Sequence, residues 1–232
     1  MNRKDVIVAC DFHDRTTLER FLDLFPKDGK PFVKVGMELF YSEGPDIVRM
    51  LRQRNHDVFL DLKVHDIPNT VMSTMKVISK LDVQITNIHA STTEMMKAAM
   101  EGLGESDTRP LLVAVTQLTS TSSEKLRDEL LIGYSMEYTI MEYAKRAFYA
   151  GLDGVVCSPL ETETVKEACG KTFITVTPGI RYPGAGDDQS RVTTPEDAKK
   201  KGCDYIVVGR PITRAEDPLN AYRQIRSEFM GV

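Results

Sequence analysis

Residues 58–70 read Val-Phe-Leu-Asp-Leu-Lys-Val-His-Asp-Ile-Pro-Asn-Thr. The apolar run Val58–Leu60 predicts a buried strand, and because side chains alternate across a strand, Asp61 and Lys63 point to the same side. Another carboxylate, Asp66, follows in the predicted loop. Removing charges from water costs free energy, and buried ion pairs stabilise a fold poorly. The stretch therefore indicates a reaction centre at the carboxyl end of a strand.

Short apolar runs of this kind recur along the whole chain. They predict eight strands: Val6–Ala9, Phe32–Val35, Val58–Leu60, Ile85–Ile88, Leu111–Val115, Gly154–Val156, Phe173–Val176 and Tyr205–Val208. Segments with helical spacing alternate with them: Thr16–Phe25, Pro45–Arg54, Val71–Lys80, Thr93–Leu103, Ser135–Ala150, Glu161–Ala168 and Pro195–Lys201. This alternation implies a parallel sheet with right-handed crossovers. The strand count and the length of 232 residues favour a single (β/α)8 TIM barrel over residues 1–232, rather than an open doubly wound sheet.

Capping residues indicate helix starts at three positions. They are Ser158-Pro159, Thr194-Pro195 and Asp217-Pro218, each a capping side chain followed by proline at the first helical position. Ser158 also forms a capping box with Glu161. No Gly-x-Gly-x-x-Gly motif follows the first strand, which argues against a dinucleotide-binding fold.

The composition is that of a globular protein and excludes several functional classes. Lys and Arg number 30 against 34 Asp and Glu, for a net charge of −4, and no basic face indicates a nucleic-acid partner. The four cysteines lack the spacing of zinc or redox motifs. No apolar run approaches the roughly 20 residues that span a bilayer, and the N-terminus lacks the apolar region of a signal peptide. We therefore expect a cytoplasmic protein without nucleic-acid or membrane partners.

Polar residues lie within or just after the predicted strands, towards their carboxyl ends. In a (β/α)8 barrel the active site is built at those ends, and the amino ends carry no comparable cluster. The set comprises Asp11, Lys34, Asp61, Lys63, Asn87, His89, Gln117, Thr119, Ser158, Arg181, Gly209 and Arg210. This asymmetry supports the barrel and the position of the site together.

Glycine-containing loops follow predicted strands seven and eight, where such barrels commonly bind phosphate. Residues 177–181 read Thr-Pro-Gly-Ile-Arg, and residues 209–213 read Gly-Arg-Pro-Ile-Thr. Gly209 lets backbone N–H groups approach an anion, a following helix N-terminus favours negative charge, and Arg210 can hold phosphate oxygens in a fork. Residues 182–189 are rich in glycine and turn formers, which predicts a mobile lid over the phosphate.

The charged core combines two lysines with two aspartates. Lys34, on the second predicted strand, neighbours Asp61 and Lys63 on the third. One interpretation is a structural ion-pair network that fixes strand register. The other is catalytic, because an ammonium held by carboxylates stays protonated and can donate its proton to a developing carbanion. A carboxylate in the same cavity would also favour a reaction that removes negative charge from the substrate.

The pattern Asp61-x-Lys63-x-x-Asp66-Ile67-Pro68-Asn69-Thr70 closely resembles the signature of the orotidine 5′-phosphate decarboxylase family. Further motifs of that family follow in order: Ala9-Cys10-Asp11, Val33-Lys34-Val35-Gly36, Thr116-Gln117-Leu118-Thr119-Ser120, Thr177-Pro178-Gly179-Ile180-Arg181, Gln189 and Val208-Gly209-Arg210. The length and loops are similar to the bacterial form. The resemblance implies a barrel that converts orotidine 5′-phosphate to UMP, the last step of pyrimidine nucleotide synthesis, with no metal or other cofactor.

The resemblance also implies a role for each matching residue. Lys63 is expected to protonate C6 of the pyrimidine, and Asp61 and Lys34 to hold Lys63 and the ribose hydroxyls. Asp66 is expected to reach the site from the partner subunit of a homodimer with shared active sites and to face the substrate carboxylate. The other expected substrate-binding residues are Asp11 for the ribose, Thr119 for the pyrimidine, Gln189, Gly209, Arg210 and Arg181 for the phosphate, and Ile67, Thr70 and Pro178.

Two alternatives remain open at this point. Sugar-phosphate lyases, such as keto-gulonate phosphate decarboxylase or hexulose-phosphate synthase, resemble the chain in the Asp-x-Lys-x-x-Asp element but hold an enediolate with magnesium. Lys34 argues against them, because it places a cation where those enzymes have an acid. A non-catalytic nucleotide-binding barrel is the other alternative, and an intact Lys63 between two aspartates argues against it.

Overall fold

Eight parallel strands close into a barrel in chain order. The computed structural model describes residues 4–104, 108–182 and 193–231. The strands are β1 (Asp5–Ala9), β2 (Phe32–Gly36), β3 (Val58–Val64), β4 (Ile85–His89), β5 (Leu111–Val115), β6 (Gly154–Val156), β7 (Ile174–Thr177) and β8 (Tyr205–Val208). Pairing of β1 with both β2 and β8 closes the ring, so the predicted (β/α)8 barrel is confirmed.

Helices cover the outside of the ring. They are α1 (Arg15–Leu22), α2 (Met37–Glu43), α3 (Asp46–Gln53), α4 (Pro68–Ile78), α5 (Thr93–Leu103), α6 (Ser123–Asp128), α7 (Met136–Tyr149), α8 (Thr162–Cys169), α9 (Pro195–Lys200), α10 (Arg210–Thr213) and α11 (Pro218–Met230). Short 3-10 helices lie at Ser79–Leu81 and Pro159–Glu161. Among the described residues, no helix is long and apolar enough to cross a membrane.

The predicted caps are found, and the differences from prediction have local causes. Thr194 and Asp217 cap α9 and α11, and the Ser158 capping box opens the 3-10 helix before α8. The sequence pattern does not predict α2, α6 or α10, because each has seven residues or fewer and none begins with the capping side chain and proline that mark the short α9. β3 runs on past Leu60 to Val64, since pairing with its neighbours overrides the low strand propensity of charged residues.

The strand side chains divide into an inner and an outer apolar cluster. The inner cluster fills the barrel and consists of Ile7, Ala9, Phe32, Phe59, Ile85, Val113, Ile174, Val176, Tyr205 and Val207. The outer cluster, which includes Val58 and Leu60, packs beneath the helices. Because side chains alternate, the inward positions that follow Phe59 on β3 are Asp61 and Lys63. The apolar filling therefore ends in a polar layer at the carboxyl ends of the strands.

Side chains at the amino end of the barrel hold neighbouring strands in register. The residue just before β4, β6 or β8 accepts a backbone N–H near the start of the preceding strand. The bonds run from Val58 N to Gln84 Oε1 (2.7 Å), from Leu112 N to Asp153 Oδ2 (2.8 Å) and from Thr175 N to Asp204 Oδ2 (2.8 Å). Arg109 also pairs with both carboxylate oxygens of Asp153, at 2.7 and 3.0 Å.

Asp153→Ala should lower stability without touching the chemistry at the opposite end of the barrel. The substitution removes the acceptor of the Leu112 N–H and the carboxylate partner of the Arg109 guanidinium, and hydrogen bonds to charged groups contribute about 1.5–3 kcal/mol. We expect urea denaturation to show a loss of about that size, with kcat unchanged when the variant is folded. Asp128→Ala, which breaks an exposed pair with Arg127, is the matched control and should leave the midpoint almost unmoved. Equal urea midpoints for the two variants would contradict the stabilising role given to Asp153.

Candidate active site

An ion pair on β3 forms the centre of the polar layer. Lys63 Nζ donates to Asp61 Oδ1 at 2.6 Å. Asp61 is buried, whereas 26% of the Lys63 side chain remains accessible from the barrel mouth. The ammonium therefore stands between a buried carboxylate and the space above the barrel.

Lys34 extends this pair into an alternating array. Its ammonium lies 3.3 Å from Asp61 Oδ2 and 2.8 Å from Asp11 Oδ1. Gly36 makes room for that contact, because a Cβ at this position would lie 3.1 Å from the Asp11 carboxylate and 3.3 Å from Lys34 Nζ. Four charges of alternating sign thus run from the loop after β1 across β2 to β3, in the order Asp11, Lys34, Asp61 and Lys63.

The surroundings keep the two buried members of the array charged. Burial by itself lowers the pKa of Lys34, but the Asp61 and Asp11 carboxylates outweigh it and the pKa is raised. Burial likewise raises the pKa of Asp61, but the Lys34 and Lys63 ammoniums prevail and the pKa lies below its ordinary value. At neutral pH the site therefore holds a fixed ammonium next to a fixed carboxylate.

Asn87, on β4, ties the array to the backbone of β3. Its Nδ2 donates to Asp61 Oδ1 at 2.7 Å, and its Oδ1 accepts from the Lys63 backbone N–H at 2.8 Å. Lys63 has a φ of +49°, a left-handed conformation that costs a non-glycine residue about 1–3 kcal/mol and often marks a functional site. Sequence reasoning placed Asn87 at the right end of the barrel but gave it no role. The sequence does contain one indication of such a role: by alternation, Asn87 lies on the same inward face of β4 as Ile85.

A cavity of about 290 Å³ opens above the array. Its floor is apolar, formed by Phe59, Val115, Val156 and Val207, and its walls carry Lys34, Asp61, Lys63, Asn87, Gln117, Thr119 and Ser120. Pro178 and Cys157 complete the lining with Leu118. Such a cavity suits a flat, polar ring that rests on an apolar floor with its edges against hydrogen-bonding groups.

A second recess of about 190 Å³ adjoins the first and is lined in common by Lys34, Pro178 and Val207. Asp11, Gly179, Ile180, Arg181, Gly209, Arg210, Ala9 and Pro211 form the rest of its wall. The helix after β8 is a single four-residue turn, so the positive charge here comes chiefly from the guanidiniums of Arg181 and Arg210 and the ammonium of Lys34, and not from a helix dipole. The recess can hold an anionic group at a fixed distance from the charged array.

Several predicted site residues lie outside both cavities. Asp66, Ile67 and Thr70 are exposed on the loop after β3 and on the first turn of α4. The Asp66 carboxylate accepts from the Ile67 N–H, and Ile67 is 66% exposed. Gln189 and the predicted lid segment 183–188 lie outside the described residues.

Comparisons with known proteins agree with the resemblance seen in the sequence. Residues 4–225 match the model of the "Orotidine 5′-phosphate decarboxylase / HUMPS family". Curated relatives named orotidine 5′-phosphate decarboxylase include one from Streptococcus thermophilus strain CNRZ 1066, 52% identical with 99% of each chain covered. Another, from Staphylococcus haemolyticus, is 52% identical, covering 97% of this chain and 98% of the relative.

Solved structures share the same architecture. The crystal structure of orotidine 5′-phosphate decarboxylase from Lactobacillus acidophilus superposes with a TM-score of 0.87 at 44% identity, covering 97% of this chain and 99% of that one. An uncharacterised conserved protein from Geobacillus kaustophilus gives a TM-score of 0.84 at 46% identity, with the same coverage. The chain belongs to the orotidine 5′-phosphate decarboxylase / HUMPS family.

Proposed function

We propose that the chain decarboxylates orotidine 5′-phosphate to UMP and CO2 without a metal or other cofactor. The observation that carries the proposal is the array of Asp11, Lys34, Asp61 and Lys63 beside a cavity that leads to an arginine-lined recess. In this proposal the pyrimidine occupies the cavity and the phosphate occupies the recess. The names of relatives 52% identical over nearly the whole chain support the same substrate.

Lys63 is the proton donor in this proposal. The bond between C6 and the carboxylate carbon breaks, CO2 leaves, and the electron pair remains on C6. A proton then moves from Lys63 Nζ to C6, and the neutral amine regains a proton from solvent. The fixed contact with Asp61 means that the ammonium needs little reorganisation as the carbanion develops, and preorganisation of this kind is usually a large catalytic contribution.

The phosphate contributes binding energy at a distance from the reacting carbon. Arg210, Arg181 and the Gly209 amide surround the recess in which it would lie, and Gln189 is proposed to join them from the lid. Thr119 and Pro178 line the space for the pyrimidine. Asp11 lines the recess and pairs with Lys34, which lines both cavities, so its carboxylate is proposed to bind the ribose. Remote contacts of this kind can be used to assemble and dehydrate a reacting centre.

The exposed loop after β3 supports a homodimer with shared active sites. Asp66, Ile67 and Thr70 line neither cavity of their own chain, although they belong to the same signature as Asp61 and Lys63. Proline at position 68 starts α4. We propose that the loop reaches the partner's pocket, where the Asp66 carboxylate would face the substrate carboxylate and favour its loss.

The cytoplasm is the proposed location. All four cysteines are buried thiols that form no disulfide, which is the state that a reducing compartment maintains.

The magnesium-dependent sugar-phosphate lyases are the second candidate, because the family model covers both groups. Lys34 disfavours them, since its ammonium lies within 3.3 Å of both carboxylates that a cation would need. A direct assay separates the two: chelator-treated protein should remove the absorbance of orotidine 5′-phosphate. Loss of activity in excess EDTA that magnesium restores would overturn the metal-free proposal, and an inert protein would overturn decarboxylation itself.

Lys63→Ala should abolish turnover while the fold persists. Because Lys63 acts mainly in the transition state, kcat should fall by at least about a thousandfold, with a much smaller change in the Kd of UMP. Stopped assays give kcat and calorimetry gives Kd. Lys171→Ala, an exposed lysine at the amino end of the barrel, is the matched control and should behave as wild type. A Lys63→Ala enzyme that keeps a tenth of the wild-type kcat would remove Lys63 from the role of proton donor.

Mixing two inactive variants should restore activity if the sites are shared. Lys63→Ala and Asp66→Ala subunits, allowed to exchange, form heterodimers in which one site combines Lys63 of one subunit with Asp66 of the other. That site is wild type at both positions, so turnover should reappear. A parallel mixture of two tagged Lys63→Ala preparations should stay inactive. Absence of recovery, after exchange has been verified by mass spectrometry, would speak against shared sites.

Arg210→Ala should lower kcat/KM because it removes a contact with the substrate phosphate. A hydrogen bond to a charged group contributes about 1.5–3 kcal/mol, so kcat/KM for orotidine 5′-phosphate should fall roughly ten- to a hundredfold. Orotidine without the phosphate should be affected far less, and added phosphite should accelerate its turnover in the wild type but hardly in the variant.

Arg214→Ala supplies the matched control, because Arg214 is exposed directly after α10 and lines neither cavity. Its kcat/KM should equal that of the wild type. Equal damage by Arg210→Ala to both substrates would show that Arg210 is structural and that the phosphate lies elsewhere.

A further inference from the structure

The carboxyl half of β3 is irregular where it passes β4. Leu60 pairs with Thr86 and Val64 pairs with Ile88. The step along β3 is four residues while the step along β4 is two, so the bulge adds two residues to β3. Asp61 and Lys63 both lie inside this bulge, and Asn87 is the β4 residue opposite it.

A bulge removes the ladder partner from part of the backbone, and Asn87 supplies the replacement. The Lys63 N–H, which regular pairing would direct to a β4 carbonyl, donates instead to Asn87 Oδ1 at 2.8 Å. The same amide uses Nδ2 to hold Asp61 Oδ1 at 2.7 Å. Asn87 is only 1% exposed, so water does not compete for these bonds.

We propose that Asn87 is a positioning residue that locks the left-handed Lys63 backbone and the Asp61 carboxylate together, and so aims the Lys63 ammonium into the cavity. The inference rests on the proposed role of Lys63 as proton donor. Asn87 acts through the Lys63 backbone and the Asp61 carboxylate. A small misplacement of a reacting group can cost a large factor in rate, so a single buried amide can control the chemistry without acting as acid or base.

If Asn87 only joined β3 to β4, its loss would lower stability without lowering kcat. Thr86, which also joins these two strands, is the matched control for that possibility. Thr86 is the preceding residue of β4, is fully buried, and donates through Oγ1 to the Leu60 carbonyl at 3.2 Å. It therefore ties the same two strands together on the opposite face, away from the cavity. Thr86→Val should lower the urea midpoint but leave kcat within about twofold of wild type.

Two substitutions at Asn87 separate its two contacts. Asn87→Asp keeps an acceptor for the Lys63 N–H but replaces the donor to Asp61 with a second carboxylate, which repels it, and Asn87→Ala loses both contacts. Each should lower kcat by at least about tenfold and leave the Kd of UMP within about threefold, because the other residues that line the cavity and the recess are unchanged. If Asn87→Ala does not fold, Asn87→Asp carries the test, since it retains side-chain volume and the backbone contact.

The pH profile provides a readout that a structural role would not move. Asp61 is faced by Lys34 from β2, Lys63 from its own strand, His89 from β4 and, beyond Lys34, Asp11 from the loop after β1. Burial raises the pKa of Asp61, and the two ammoniums together with the Asn87 N–H lower it. Loss of that N–H must raise the pKa of Asp61. Activity that needs the ionised Asp61 carboxylate should then begin to fall at a higher pH than in the wild type as the solution is acidified. The acid limb of kcat/KM should therefore move upward in both Asn87 variants and stay in place in Thr86→Val.

The outcomes are distinct. Tenfold losses of kcat with a displaced acid limb would support the positioning role. Either Asn87 variant with kcat within twofold of wild type and an unmoved acid limb would overturn it, as would failure of both variants to fold. Wild-type protein without turnover of orotidine 5′-phosphate would overturn the proposed function instead.

Discussion

The carboxylate of Asp61 is the constraint on which the site depends. It is buried and accepts from the ammonium of Lys63, the ammonium of Lys34 and the amide of Asn87. A buried carboxylate without such partners would take up a proton or destabilise the fold. With them it stays ionised, and it holds a lysine ammonium at the edge of the cavity. Burying these charges costs stability, and the same burial fixes the Lys63 ammonium that the proposed reaction needs.

The barrel supplies this constraint through two layers of side chains. Inward residues in the lower layer are apolar and fill the interior, and the next inward positions on β2, β3 and β4 carry Lys34, Asp61, Lys63 and Asn87. The amino end is held separately by bonds such as that between Leu112 and Asp153. Residues that stabilise the barrel therefore lie at its amino end and residues of the proposed active site at its carboxyl end, as is general for this fold.

Periodic features of the structure could be predicted from the sequence, and local irregularities could not. The eight strands follow from apolar runs, and the site residues on β2 and β3 follow from alternation. The bulge in β3 could not be predicted, because the register between two strands depends on both of them and no short motif encodes it. The role of Asn87 was missed for that reason, because it comes from the position of Asn87 opposite the bulge. Asp66 also required more than pattern reasoning, since alternation ends with the strand and only the family signature connects it to the site.

The most direct test of the central claim is proton exchange at the product. If Lys63 delivers the proton to C6, microscopic reversibility requires the same residue to remove it. UMP incubated with the protein in D2O should therefore lose its C6–H signal in the ¹H NMR spectrum, far faster than UMP alone. The Lys63→Ala variant, with UMP still bound, should give no exchange above the uncatalysed rate. Exchange at the wild-type rate in that variant would contradict the role given to Lys63.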